Sequence, residues 1–119
     1  MKYDFAKDRV IELLNELADE GFQRKVWLVP DGPETSSFDE AICGLFDDTG
    51  LGDLLEKQSP PVFTSDIDQS LRELDQLIIQ ASHLFRAMPP ASIVDHPKMC
   101  EVRCMAAKVL AQMEQEGIA

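Results

Sequence analysis

Histidine and cysteine side chains follow one another at intervals of four residues near the end of the chain, where they could hold a soft metal ion. The three residues are His96, Cys100 and Cys104. Zinc accepts such ligands but usually takes four of them, and eight residues of helix span about 12 Å. That span is too long for all three side chains to reach one ion. We therefore expect no metal, and interpret the three as small residues on a weakly apolar helix face.

The residues for nucleophilic catalysis are not grouped in a known pattern. The chain has two histidines, His83 and His96, and neither lies in a recognisable loop signature beside a cysteine. No cluster combines a base, a nucleophile and an oxyanion donor. We expect a protein without enzymatic activity and without a cofactor.

Acidic residues are dense between residues 39 and 56, which raises the question of calcium. The set comprises Asp39, Glu40, Asp47, Asp48, Asp53 and Glu56. An EF-hand needs oxygen ligands at its first, third and fifth positions, glycine at the sixth and glutamate at the twelfth. This segment lacks that order. Helix caps and turns explain most of these acids, and a surface for a basic protein explains the rest.

Five acids recur at every fourth residue of the first predicted helix and form what we call the acidic ridge: Asp4, Asp8, Glu12, Glu16 and Glu20. Side chains four apart on a helix are neighbours, and like charges at that spacing cost up to about 0.5 kcal/mol per pair. Only Lys7 and Arg9 lie within the run, so we expect an unpaired ridge. A basic partner would explain it, and a solvated face that maintains solubility is the alternative.

The whole chain of 119 residues is acidic, with 22 Asp and Glu against 11 Lys and Arg and a net charge of −11. Residues 1–60 carry fourteen acids and six bases, net −8, and residues 61–119 carry eight and five, net −3. Phosphate contacts need clustered Lys and Arg, so neither nucleic acid nor an anionic membrane surface is an expected partner. A basic protein fits better.

Length and composition, with 45% hydrophobic and 28% charged residues, are typical of one globular domain over residues 1–119. The N-terminus has no apolar h-region, and no apolar run approaches the length of a membrane span. Three cysteines, two of them one helical turn apart, are typical of reduced thiols rather than of a disulfide framework. We therefore expect a cytoplasmic protein.

The first half of the chain is predicted to be helical with one ambiguous segment. Residues 4–19 form a helix whose buried side carries Val10, Leu13, Leu14 and Leu17. Residues 22–29 favour a helical turn that runs into an extended stretch, with Trp27 in the core rather than at an interface.

A second helix begins at a capping box, with Ser37 as the N-cap and Glu40 three residues on. Gly50 ends it in the left-handed conformation, and residues 51–57 add a further helical turn.

The second half predicts two long helices. The third helix begins at the N-cap Ser65 and carries a heptad-like apolar seam: Ile67, Leu71, Leu74, Ile78, Ala81, Phe85 and Met88. The last helix begins at the N-cap Asp95, ends at Gly117 and carries a matching seam of Met99, Val102, Ala106, Val109 and Met113. Joined by a loop of about six residues, the two should pack antiparallel. The predicted fold is all-α, a small bundle of four to five helices with a long antiparallel C-terminal pair.

Two segments resemble a family of small, uncharacterised bacterial proteins. The first is Phe22-Gln23-Arg24-Lys25-Val26-Trp27-Leu28, and the second combines Phe38-Asp39-Glu40-Ala41-Ile42 with Leu45-Phe46-Asp47-Asp48-Thr49. The family patterns are Phe-Gln-Arg-x-Val-Trp and Leu-Phe-Asp-Asp, and they imply no particular activity. In size, acidity and lack of catalytic machinery, the chain is also similar to immunity proteins of contact-dependent growth inhibition. That similarity implies a toxin partner with a basic nuclease domain.

The leading hypothesis is therefore a non-enzymatic immunity protein that neutralises a basic toxin domain, a nuclease, through an acidic surface. The residues expected to bind the partner are Asp8, Glu12, Glu16, Asp19 and Glu20, with Asp39, Asp47 and Asp48 as a second patch. The alternative hypothesis is a cytoplasmic interaction or homo-oligomerisation module. In that case the seam over residues 67–88 would pair between two subunits of a homodimer.

Overall fold

Every regular element in the computed structural model is a helix, within the residues that it describes, 7–29, 37–57 and 61–118. The α-helices are α1 (Lys7–Ala18), α2 (Glu20–Phe22), α3 (Phe38–Cys43), α4 (Leu51–Lys57), α5 (Ser65–Phe85), α6 (Pro90–Asp95) and α7 (Pro97–Gln115). Two π-helical turns, Gln23–Trp27 and Gly44–Asp48, continue α2 and α3 directly. The all-α prediction is confirmed, but the described residues contain seven α-helices rather than four to five. The additional helices are short. They lie where the sequence indicated either a loop or part of a longer helix.

The long helix α7 packs against both α1 and α5. Lys98, in the first turn of α7, donates a hydrogen bond of 3.2 Å to Gln80 in the last third of α5. At the same end, the rings of Phe85 and His96 lie edge to face with centroids 5.3 Å apart. The start of α7 therefore lies beside the end of α5, and the two helices run antiparallel.

The apolar seams meet inside one chain. The predicted core positions of α1, α5 and α7 are at most 5% exposed: Val10, Leu13, Leu14, Leu17, Ile67, Leu71, Leu74, Ile78, Ala81, Phe85, Met99, Val102, Ala106, Val109 and Met113. Met88 differs, since α5 has already ended and its side chain is only partly buried. Burial at about 25 cal/mol per Å² of apolar surface is the main stabilising term for such a core. The α5 seam thus has its partner in α7 and is not available to a second subunit.

The N-caps of the two long helices differ by one residue from the prediction. Thr64, not Ser65, caps α5, because its backbone is extended and its hydroxyl accepts from the Ile67 amide. His96, not Asp95, caps α7 through Nδ1, which accepts from the Lys98 amide at 3.0 Å. Asp95 instead ends α6, the short helix that occupies most of the predicted loop.

The other ends of the helices follow the prediction more closely. Ser37 caps α3 by accepting from the Glu40 amide at 3.1 Å, as expected. Gly50 has a φ of +80° and Gly117 a φ of +74°, a region that residues with a Cβ rarely adopt. Both glycines therefore end their helices as the sequence indicated.

The segment over residues 22–29, expected to run from a helical turn into an extended stretch, is helical up to Trp27. The reason is Gln23, which is fully buried although it is polar. Its Nε2 donates to the carbonyl oxygens of Glu16 and Leu17 at 3.0 and 2.9 Å, and its Oε1 accepts from Arg103 at 2.9 Å. Carbonyls in the last turn of a helix have no partner within it. Gln23 supplies that partner to α1 and ties the following turn to α7.

Candidate functional site

The structure divides the acidic ridge between two helices. Asp8, Glu12 and Glu16 lie on α1, but that helix ends at Ala18. Asp19 has an extended backbone and caps α2 by accepting from the Phe22 amide at 3.0 Å. Glu20 is the first residue of α2, and Asp4 lies outside the described residues. The regular spacing of four in the sequence is therefore not one continuous row in space.

The expectation of an unpaired ridge is wrong. Glu12 forms an ion pair of 3.0 Å with Arg9. Glu20 pairs at 2.8 Å with Arg24, which also reaches Asp95 at 2.6 Å. Glu16 is partly buried and accepts from the Trp27 indole at 2.9 Å.

Trp27 is 4% exposed, so its predicted core position is confirmed. Three of the five ridge acids therefore have partners within the chain: Glu12 and Glu20 pair with bases three and four residues away, and Glu16 binds the indole eleven residues later.

The second predicted patch is also divided. Asp39 lines a cavity of about 410 Å³ beside the edge-to-face rings of Trp27, Phe38 and Phe85. Asp47 lines a different and larger depression on α5. Asp48 is exposed at the end of its π turn.

The larger depression gathers carboxylates from three elements, and we call it the acidic groove. Its volume is about 620 Å³, and it lies between α4, the preceding π turn and α5. Five acids line it: Asp47, Asp53, Glu56, Glu73 and Asp75. None of them forms an ion pair with a cation in the part of the chain that the structure describes.

One cation lines the groove, the guanidinium of Arg72. It donates a hydrogen bond of 3.1 Å to the backbone carbonyl of Leu55, which joins α5 to α4. Five acids against this single base leave the lining with a net charge of −4. Arg72 therefore holds the wall of the groove in place without neutralising it.

Asp75 is the groove carboxylate on which burial and neighbouring charges act together. Burial raises the pKa of Asp75 above its ordinary value, and the charges of Asp47 and Glu56 raise it further. Desolvation and like charges both disfavour the ionised form of a carboxyl group. A positive group that entered the groove would relieve the repulsion and form ion pairs in the same step.

Three of these five residues could have been found in the sequence and two could not. Asp47, Asp53 and Glu56 belong to the dense acidic segment, but only Asp47 was predicted to bind a partner. Glu73 and Asp75 lie on the polar side of α5, where acids are ordinary. They lie near Asp47, Asp53 and Glu56 only because the fold places α4 beside α5.

The histidine and cysteine side chains near the C-terminus have separate contacts and do not form one site. His96 caps α7, and the Sγ of Cys100 lies 3.3 Å from the Nη2 of Arg103. Cys104 is exposed on the side of α7 that faces α5. Over residues 7–29, 37–57 and 61–118, no group of three or more His, Cys, Asp or Glu side chains is placed to hold a metal ion.

The fold and the groove define an all-α protein with a concave anionic surface. No protein-family model, curated protein or solved structure matches the chain. Among the described helices, none has the length and apolar character that crossing a bilayer would require. The geometry and charge of the groove are therefore the observations on which a function can be proposed.

Proposed function

We propose that this chain is a cytoplasmic, non-enzymatic immunity protein that binds and neutralises a basic toxin domain, a nuclease, through the acidic groove. The observation that carries the proposal is the set of five groove carboxylates that have no described cationic partner. A surface that only maintained solubility would gain nothing from placing like charges in a concave, partly desolvated site.

A nuclease suits this groove because its active site must be basic to hold phosphates. Carboxylates of a protein inhibitor can occupy the same positions in place of the substrate. Lysine or arginine side chains that enter the groove would meet Asp53, Glu56 and Asp75 at close range. Charge pairs that become desolvated in this way control the dissociation rate, and losing one partner costs about 2–5 kcal/mol.

The ridge acids have a different role in this proposal. Glu12, Glu16 and Glu20 already have partners within the chain, so they add to the long-range field rather than to direct contacts. Together with Asp8, Asp19, Asp39 and Asp48 they contribute to the net charge of −11. Such a field speeds the association of oppositely charged proteins and weakens as salt is added.

The first experiment identifies the partner. The tagged protein is co-expressed with the products of the open reading frames adjacent to its own, captured, and washed at increasing salt. We expect a basic protein to be retained at low salt and released progressively at high salt, and its nuclease activity to be inhibited in the complex. If no basic protein is retained at any salt concentration, the proposed function is wrong.

The second experiment locates the contact by comparing two variants with the same change of charge. The groove variant carries Asp53→Lys and Glu56→Lys, and the ridge variant carries Asp8→Lys and Glu12→Lys. We expect the groove variant to weaken binding at least about 100-fold, mainly through faster dissociation, and the ridge variant less than about tenfold, mainly through slower association. Equal effects, or a larger effect of the ridge variant, would show that the groove is not the contact surface.

A further inference from the structure

A second groove runs between α5 and α7, on the flank of α5 that faces α7, and is mainly apolar. Its volume is about 580 Å³, and its floor is formed by Leu77 of α5 together with Cys104 and Met105 of α7. Leu77 and Met105 are only partly buried against the core. Leu84 lies two helical turns beyond Leu77 on α5 and is 46% exposed. We call this surface the apolar groove.

The charges of the apolar groove lie at its two ends. Glu101 forms an ion pair of 3.3 Å with Lys98 at one end. Lys108 lines the other end and forms no ion pair with a carboxylate among the residues that the structure describes. Glu73 of α5, which also lines the acidic groove, is the remaining charged residue of the lining. The midpoint between Glu101 and Lys108 falls between Cys104 and Met105, at the centre of the apolar floor.

We infer that a second copy of this chain covers the apolar groove, related by a two-fold axis that crosses α5 and α7 at the level of Met105. Such an axis places α7 antiparallel to α7 of the partner. Residues equally far from the midpoint then meet, so Glu101 of each copy faces Lys108 of the other. On α5 the same axis places Glu73 opposite Gln80, an acid against an amide rather than against a second acid. The isologous contact is thus complementary in charge at both ends and apolar at its centre.

The size of the surface indicates a weak dimer. With 19 residues, α7 is about 28 Å long, and two neighbouring helices present a face about 18 Å wide. Two such faces bury roughly 1,000–1,200 Å² in total, at the low end for specific interfaces. We therefore expect dissociation in the micromolar range and a marked dependence of mass on concentration.

Sedimentation equilibrium over a wide range of protein concentration tests the inference with a charge swap. The single variants Glu101→Lys and Lys108→Glu each place like charges opposite one another twice, and we expect each to weaken dimerisation at least about tenfold. The double variant restores both pairs and should return to within about threefold of the wild type. Lys57→Glu on the exposed end of α4 is the control and should leave the constant unchanged. A monomer at every concentration, or single reversals without effect, would overturn the inference.

Disulfide cross-linking tests the register independently of charge. Cys104 lies next to the two-fold axis and is an exposed free thiol, so mild oxidation should link two copies through this residue. We expect Cys104→Ser to abolish the covalent dimer and Cys43→Ser to leave it intact. A dimer that forms but does not cross-link through Cys104 would refute the proposed arrangement. Neither experiment depends on a toxin partner, so failure here and failure of the proposed function are separate results.

Discussion

Replacing Gln23 by leucine removes three hydrogen bonds while keeping nearly the same side-chain volume. The buried carbonyl of Leu17 would lose its partner, at a cost of about 1–2 kcal/mol, and the half-buried carbonyl of Glu16 would add about 0.5 kcal/mol. The bond from the charged Arg103 contributes about 1.5 kcal/mol more. New apolar burial offsets about 1 kcal/mol. We expect a net loss of about 2–3 kcal/mol in the free energy of unfolding.

The single tryptophan provides the assay. Trp27 is buried, so its fluorescence emission should shift to longer wavelength on unfolding, and far-ultraviolet circular dichroism reports the helices in the same urea titration. For a domain of this length, 1 kcal/mol corresponds to about 4 °C in Tm, so the Gln23→Leu variant should melt about 8–12 °C lower. Its urea midpoint should fall with little change in slope.

Gln112→Leu is the matched control, the same chemical change at a second glutamine, which is only partly buried. The Oε1 of Gln112 is buried and has no hydrogen-bond partner among the described residues. Removing an unsatisfied amide should be neutral or should stabilise the fold by up to about 1 kcal/mol. If Gln23→Leu has the same effect as Gln112→Leu, the three bonds of Gln23 do not stabilise the fold and the reasoning is wrong.

Two further substitutions test the electrostatics of α5. The folded state raises the pKa of Asp75, so its ionisation costs stability at neutral pH and nothing below its unfolded pKa of about 3.9. Asp75→Asn should therefore stabilise the fold at pH 7 and lose that advantage as the pH falls towards 4. Urea titrations at pH 7 and pH 4 measure the stability of the variant relative to the wild type, with Asp48→Asn as the exposed control. A difference in stability that does not change with pH would contradict the prediction. Asp68 is 2% exposed and accepts two backbone amides at 2.7 and 3.0 Å, so Asp68→Ala should lower Tm by about 8 °C, equivalent to about 2 kcal/mol. Thermal melts against the exposed Asp66→Ala control measure this, and equal melting temperatures would refute it.

The segment around Trp27 shows where prediction from the sequence worked and where it failed. Trp27 of this segment was expected in the core, and it is buried. The polar residue Gln23 of the same segment gave no such signal, because a buried glutamine is favourable only if specific partners surround it. Those partners are carbonyls six and seven residues earlier and an arginine 80 residues later. The extended stretch was mispredicted for the same reason, since tertiary hydrogen bonds hold the turn in a helical conformation.

The negative charge of the candidate site could be predicted from the sequence, but its position in the fold could not. Total charge and its excess in residues 1–60 follow from the sequence and favour a basic partner. The pairing of the acids follows only in part: Arg24 pairs with Glu20 four residues earlier, but it reaches Asp95 only because α6 packs beside the π turn. The groove likewise requires Glu56 and Asp75 to meet across two helices.

The helical class, the seams of α1, α5 and α7, and the left-handed glycines that end two helices all follow from local patterns in the sequence. These features depend on local spacing and on the burial of apolar side chains, which a helix of 3.6 residues per turn expresses directly. Local patterns do not show which acids lie together without a cation, which of them pair across the fold, or which polar side chains are buried. Those outcomes depend on contacts between residues far apart in the chain. Like charges such as Asp47, Glu56 and Asp75 come together because Leu51 and Leu55 of α4 are buried in the same core as the apolar side of α5.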